Sequence, residues 1–223
     1  MDDTEGWEAR ADLLATRSLA EGDATGWFDR LYREARAGSV AMPWNRREPS
    51  ILLAQWARQH EIVGTGRRAL VVGCGLGSDA EFLASLGFDT TAFDVSATAV
   101  QLARERNPGS AVRYRVADLL DPPPEWAGAF DLVLEIHTVQ ALPDPPRAAA
   151  IGGVRGMVAP GGTLLVVAAG RDEPSRDGPP WPLTPADIEA FGADGLAPVR
   201  IERLEDSPGT EVYRWRAEFR LDG

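Results

Sequence analysis

Ten residues constrain this chain more than any others. Leu70-Val71-Val72-Gly73-Cys74-Gly75-Leu76-Gly77-Ser78-Asp79 carries an apolar run into three glycines at alternate positions, then into a helix start. A short apolar run that stops at glycine is a buried strand. Glycine adopts torsions that other residues resist and lets a ligand approach the main chain. The helix that follows presents unpaired N–H groups. The spacing is G-x-G-x-G rather than the G-x-G-x-x-G of dinucleotide sites, which argues against pyrophosphate binding. A tight turn without a ligand needs similar residues, so the rest of the chain must decide between the two.

Strand and helix alternate five times around that turn. Strands are predicted at Arg68–Val72, Asp89–Phe93, Val112–Val116, Phe130–Ile136 and Thr163–Ala168, with helices at Ser78–Leu86, Ala97–Glu105 and Arg147–Val158. Pro122-Pro123-Pro124 forbids helix before the fourth strand, and Pro160-Gly161-Gly162 predicts a turn before the fifth. A helix opens at Thr184 or Pro185 and runs to about Phe191. Two late strands, near Val199–Leu204 and Tyr213–Leu221, suit an antiparallel pair at one edge. The pattern is that of a doubly wound, mostly parallel α/β sheet with right-handed crossovers. Ahead of it, residues 1–35 are helical and acidic, Ala37–Pro49 is a loop, and Ile51–His60 is a helix. At 223 residues the expectation is one domain: a helical cap or lid over 1–60 on a Rossmann-like core over 61–223.

The net charge of −11 would repel nucleic acid and anionic membrane, so neither is an expected partner. No apolar run approaches the length of a membrane span. The start Met1-Asp2-Asp3 lacks a basic patch and an apolar core, so no secretory signal is expected. The single cysteine, Cys74, excludes an internal disulfide and a cysteine-based zinc site, and no other cluster has metal-ligand spacing. The expected compartment is the cytoplasm, and the expected assembly a monomer or weak dimer.

Two acids follow the glycines at neighbouring strand ends. Asp94, in Phe93-Asp94-Val95-Ser96, stands where a carboxylate can accept hydrogen bonds from both hydroxyls of a ribose. Asp118, followed by Leu119, can accept from an exocyclic amine while Leu119 lies against the ring. Open α/β sheets bind ligands at this edge. Over roughly Arg68–Ala168 this constellation resembles the class I S-adenosylmethionine (SAM)-dependent methyltransferases. The resemblance implies a seven-stranded sheet with a reversed final hairpin. It further implies that Gly73, Cys74, Gly75 and Gly77 pass the amino-acid part of SAM, that Asp94 and Val95 hold the ribose, and that Asp118 and Leu119 frame the adenine. The product would be S-adenosylhomocysteine (SAH).

The N-terminal segment carries Trp27-Phe28-Asp29-Arg30-Leu31-Tyr32, then Met42-Pro43-Trp44, then Pro49. It resembles the thiopurine and thiol methyltransferases and their halide- and thiocyanate-methylating relatives, departing from them at Asn45. By that resemblance Trp27 and Trp44 cover the cofactor, and Tyr32 belongs to the substrate side. Aromatic faces attract a sulfonium by cation–π interaction and exclude water. The fourth strand ends in Glu135-Ile136-His137. Glu135 is unusual at the end of a buried run, and the matching stretch in the resembled branch makes Glu135 and Ile136 candidates for cofactor contact. His137 has the titration range of a general base, about 6.5 when unperturbed; a structural hydrogen bond is its other reading. Trp181, in Gly178-Pro179-Pro180-Trp181, would wall an apolar acceptor.

The function expected is methyl transfer to a small molecule, first of all a thiol or other soft nucleophile. Alternatives are an O- or N-methyltransferase of a natural-product scaffold, and a non-catalytic SAM-binding sensor on the same fold.

Overall fold

The computed structural model describes residues 4–42, 44–175, 178–205 and 213–223. Three helices come first: α1 (Thr4–Ala20), α2 (Gly26–Arg36) and α3 (Ile51–Gln59). The break between α1 and α2 has a local cause. Asp23 Oδ1 accepts from Thr25 N at 3.0 Å and Gly26 N at 2.8 Å, so a side chain takes the donors that open α2.

The core then runs β1 (Arg68–Val72), α4 (Ser78–Ser85), β2 (Asp89–Asp94), α5 (Ala97–Arg106), β3 (Arg113–Val116), β4 (Phe130–Ile136), α6 (Pro146–Gly156), β5 (Val158–Gly170), α7 (Pro185–Ala190), β6 (Leu196–Glu205) and β7 (Tyr213–Leu221). Short 3-10 turns lie at Pro124–Trp126 and Val139–Ala141. The sheet order is β3-β2-β1-β4-β5-β7-β6. β1 to β5 are parallel where they pair, and β7 enters antiparallel between β5 and β6.

Central strands are apolar on both faces because helices cover both. On one face Leu70, Val72, Val133 and Val166 pack with Ile151 and Val154 of α6 and Ile188 of α7. On the other, Val71, Ala92, Leu132 and Leu134 pack with Leu53 and Trp56 of α3, Leu83 of α4 and Val100 of α5. A third cluster joins α1 and α2 through Ala11, Leu14, Ala15, Trp27 and Leu31.

The predicted Pro160-Gly161-Gly162 turn is instead an irregularity inside β5, where the register with β4 shifts between Phe130 and Leu132. Pro160 has no N–H and Gly161 has φ 73°, so both suit a bulge better than a regular ladder. The helix expected to reach Val158 ends at Gly156 for the same reason: β5 already pairs from Val158. Among the described residues, no helix is long and apolar enough to cross a membrane.

Candidate active site

The sheet order reverses between β1 and β4, so the loops leaving their carboxyl ends diverge and open a crevice. A cavity of about 540 Å³ fills it, within the range of small-molecule sites. Loops after β1, β2 and β3 form one end, and loops after β4 and β5 form the other.

Gly73, Gly75 and Gly77 have φ of 59°, 51° and 90° and all line the cavity. Cys74 N donates to Phe93 O at 2.8 Å and Gly75 N to Asp94 Oδ2 at 2.9 Å, so the turn is sewn to the end of β2. The need for glycine differs along the turn. A Cβ at Gly73 would stand 2.2 Å from Thr138 Oγ1, and one at Gly77 would stand 2.3 Å from the Tyr114 hydroxyl. Protein atoms, rather than a ligand, fill the space beside those two. A Cβ at Gly75 would meet the Tyr32 hydroxyl at 2.9 Å and Trp44 Cδ1 at 3.9 Å, both of them cavity side chains.

Asp94 is buried and accepts from Gly75 N through one oxygen and from Ser96 N, at 2.9 Å, through the other. Each carboxylate oxygen keeps a second lone pair, enough for two hydroxyl donors. Burial pushes the Asp94 carboxyl up to about 6, against the backbone donors that hold it down. Asp118 Oδ1 accepts from Leu120 N at 2.9 Å, and Asp118, Leu119, Val95 and Ile136 all line the cavity. Burial and the nearby Asp94 raise the Cys74 thiol well above its ordinary range, which disfavours the nucleophilic thiolate.

The N-terminal helices reach the same cavity. Trp27 stacks on Phe28 with ring centres 3.9 Å apart, and Trp7 meets Trp44 edge to face at 5.1 Å. Trp44 Nε1 donates to the Tyr32 hydroxyl at 3.1 Å. All five rings line the cavity. The strand-to-helix junctions hold this layer in place. Asp29 Oδ1 accepts from Ser96 Oγ and Thr98 N, Ser78 Oγ donates to Arg46 O, and Ser50 N donates to Asp79 Oδ1. Pro43 lies outside the described residues.

Two expected contacts are placed differently. Glu135 does not line the cavity. Its carboxylate turns toward its own chain, with Oε1 accepting from Thr138 N at 2.7 Å and Val139 N at 2.9 Å, and Oε2 buried without a hydrogen-bond partner. Burial raises it to about 7. Trp181 also lies off the cavity; its ring folds over Gly178, whose Cβ position is 2.7 Å from it, and Pro179 and Pro180 form the wall instead.

His137 lines the cavity at the β4 end, in the left-handed region at φ 60°. Its N–H donates to Val167 O, and its Nδ1 lies 3.2 Å from Gln140 Oε1. Thr138 Oγ1 donates to Val72 O, tying this turn to β1. Sequence reasoning missed Gln140, Arg46, Asp79 and Arg214, all of which line the cavity. Gln140 was visible as His137 plus three in a turn, and Asp79 as the acid that follows the glycines. Arg46 and Arg214 carry no local signal. Among the described residues, no group of three or more His, Cys, Asp or Glu could hold a metal ion.

The residues present suit an adenosyl sulfonium. A buried carboxylate has acceptor capacity for two hydroxyls, an acid–leucine pair can frame a base, and aromatic faces can attract a cation. Residues 69–162 match the family described as a methyltransferase domain.

Over 103 residues, 45% of this chain, it is 38% identical to a ubiquinone biosynthesis O-methyltransferase of Xanthomonas campestris pv. campestris (strain B100), covering 42% of that protein. The chain thus spans less than half the length of the curated relatives it matches. Its fold is similar to the N-methyltransferase NodS from Bradyrhizobium japonicum WM9 in complex with SAH, with a TM-score of 0.65 and 21% identity, over 86% of this chain and 98% of that one. It is also similar to a 1,6-didemethyltoxoflavin-N1-methyltransferase from Burkholderia thailandensis, with a TM-score of 0.63 and 17% identity, over 88% and 86% of the two chains.

Proposed function

We propose that this protein transfers a methyl group from SAM to the hydroxyl of a small aromatic molecule, with His137 as general base. The observation that carries the reading is His137 at the β4 end of an aromatic-lined cavity whose other end holds Asp94 and Asp118. SAM supplies a methyl carbon on a sulfonium, already a good leaving group. The protein's work is alignment and proton handling, and near-attack alignment contributes on the order of 7–11 kcal/mol. Asp94 takes the ribose hydroxyls. Asp118 and Leu119 frame the adenine. Tyr32, Trp27 and Trp44 exclude water from above, with residues 1–60 acting as a cap that closes over ligand. His137 accepts the hydroxyl proton as the acceptor oxygen takes the methyl and the carbon–sulfur electron pair goes to sulfur.

Oxygen is favoured over the thiol expected from sequence for two reasons. A thiol already offers some thiolate near neutral pH and needs little base, whereas a phenol gains from one. The curated relatives also carry O-methyltransferase names, over a match that spans 45% of this chain. The thiol reading rests on the Trp27–Trp44 resemblance.

The test is transfer of labelled methyl to panels of phenols, catechols and thiols by the wild type and His137→Ala. Loss of about 100-fold or more on a hydroxyl acceptor supports the reading. Turnover confined to thiols and indifferent to His137 replaces it with the thiol enzyme. Binding of SAH without transfer to any acceptor replaces it with a sensor.

A further inference from the structure

Gln140 lies in the 3-10 turn Val139–Ala141, three residues after His137, and is buried. Its side-chain Oε1 accepts from Ala169 N at 2.6 Å. An atom that accepts from an N–H is the amide oxygen, so the β5 backbone determines which way this amide faces. The same oxygen is 3.2 Å from His137 Nδ1. Toward an acceptor-only atom, Nδ1 can bond only as a donor. A neutral imidazole with its proton on Nδ1 carries its lone pair on Nε2.

We propose that Gln140 is a positioning residue that locks His137 in the Nδ1–H tautomer, so that Nε2 is the nitrogen that takes the acceptor's proton. The inference rests on the reading of His137 as the base. The surrounding frame supports it. His137 N donates to Val167 O, Trp181 N donates to Gln140 O at 2.7 Å, and Glu135 holds the N–H groups of Thr138 and Val139. Backbone and amide are thus fixed independently of each other, and the ring is fixed between them. Free imidazole prefers its proton on the other nitrogen, so the tautomer itself reports the lock.

The chain has two histidines, and His60→Gln leaves the His137 ring as the only imidazole signal in nitrogen NMR of the labelled full chain. Above the titration of the ring, the expected state is a proton on Nδ1 and none on Nε2. Gln140→Leu should return the ring to the Nε2–H form and lower kcat about 100-fold on a hydroxyl acceptor, as loss of a general base does, while SAH affinity stays within about twofold. Gln140→Glu keeps an acceptor for both Ala169 N and Nδ1. It should preserve the tautomer, retain most of kcat, and move the acid limb of the pH–rate profile to higher pH, because an adjacent anion favours the imidazolium. This variant also serves if the leucine variant does not fold.

A wild-type ring protonated on Nε2 overturns the proposal, as does a Glu variant whose tautomer differs from the wild type. The tautomer is read without turnover. A failure of the methyltransferase reading would instead show as absent transfer by wild-type protein with the Nδ1–H tautomer intact.

Discussion

The Asp29 carboxylate and the Ser96 hydroxyl meet at 2.8 Å, joining α2 of the N-terminal layer to the residue that caps α5. Ser96 N in turn donates to Asp94, so one short chain of hydrogen bonds runs from the aromatic cover to the proposed ribose carboxylate. Burial disfavours the Asp29 anion, but Thr98, Ser96 and Arg33 outweigh it and hold its carboxyl below the ordinary range. Its contribution to stability is therefore present above the usual aspartate value and lost as pH falls through the lowered one.

Asp29→Ala should loosen the cover without unfolding the core. Hydrogen bonds to a charged group are worth about 1.5–3 kcal/mol each, so SAH affinity should fall about tenfold or more, and calorimetry reads this directly. Proteolysis supplies a second reading. In the wild type, SAH should slow cleavage within residues 1–50; in Asp29→Ala that protection should shrink. Equal protection in both proteins would mean that Asp29 does not couple cover to ligand.

The glycine turn makes a prediction with two different outcomes. Gly73→Ala places a Cβ 2.2 Å from Thr138 Oγ1, whose hydroxyl donates to Val72 O. The neighbour cannot yield without breaking the joint between β1 and β4. Overpacking and left-handed strain together should cost about 2–5 kcal/mol of folding stability. Gly75→Ala crowds the end of the Tyr32 side chain at 2.9 Å and reaches Trp44 Cδ1 at an ordinary contact distance of 3.9 Å. It should cost about 1–2 kcal/mol from the positive φ, with SAH binding as its main loss. Urea unfolding alongside calorimetry separates the two, and a Gly73 variant that folds like the wild type would refute the packing account.

Why some of this was legible in the sequence is itself physical. The central strands are covered on both faces, so Leu70–Val72 and Leu132–Leu134 had to be continuous apolar runs, and such runs stand out. The acids at 94 and 118 were visible because Asp94 ends its strand and Asp118 lies two residues past the end of its own. Pro160-Gly161-Gly162 misled because the same residues that make a turn also make a bulge, and only the pairing of β5 with β4 and β7 distinguishes them. Glu135 misled for a related reason. A carboxylate in a buried run signals a partner, but periodicity cannot say whether that partner is a ligand or the backbone three and four residues further on. Trp181 was placed by loop composition, whereas its ring position follows from the room left at Gly178. Gln140 matters through one hydrogen bond to β5, a contact between residues 29 apart that no local pattern announces.

Asp94 predicts how ligand binding responds to pH. Its carboxyl is raised to about 6, chiefly by burial. In the free protein this contributes stability that is complete below the ordinary aspartate value and lost as pH rises through about 6. Binding runs the other way, because ribose hydroxyls donate best to the ionised form. SAH affinity should be flat above pH 7 and fall by up to about tenfold per pH unit below the Asp94 midpoint. SAH has no sulfonium, so the trend reports the site rather than the cofactor's fixed charge. Asp94→Ala should bind weakly at every pH. A wild-type affinity that holds constant from pH 7.5 to 5 would show that Asp94 does not take the hydroxyls.

Glu135 gives the complementary test in stability alone. Burial raises its carboxyl to about 7, partly offset by the N–H groups of Val139 and Thr138. The protonated form is favoured by the fold, so the contribution is complete below pH 4.5 and is lost as pH climbs through about 7. Glu135→Gln keeps an oxygen for the two N–H donors and removes the titration. Above pH 7 the wild type carries a buried anion with one unpartnered oxygen, while the variant carries a neutral amide. The unfolding free energy of Glu135→Gln relative to wild type should therefore rise between pH 5 and 8, by up to about 3 kcal/mol. Groups that titrate alike in both proteins cancel in that difference. Urea titrations across the range measure it, and a difference independent of pH would mean that the Glu135 carboxylate finds compensation that its two backbone donors do not supply.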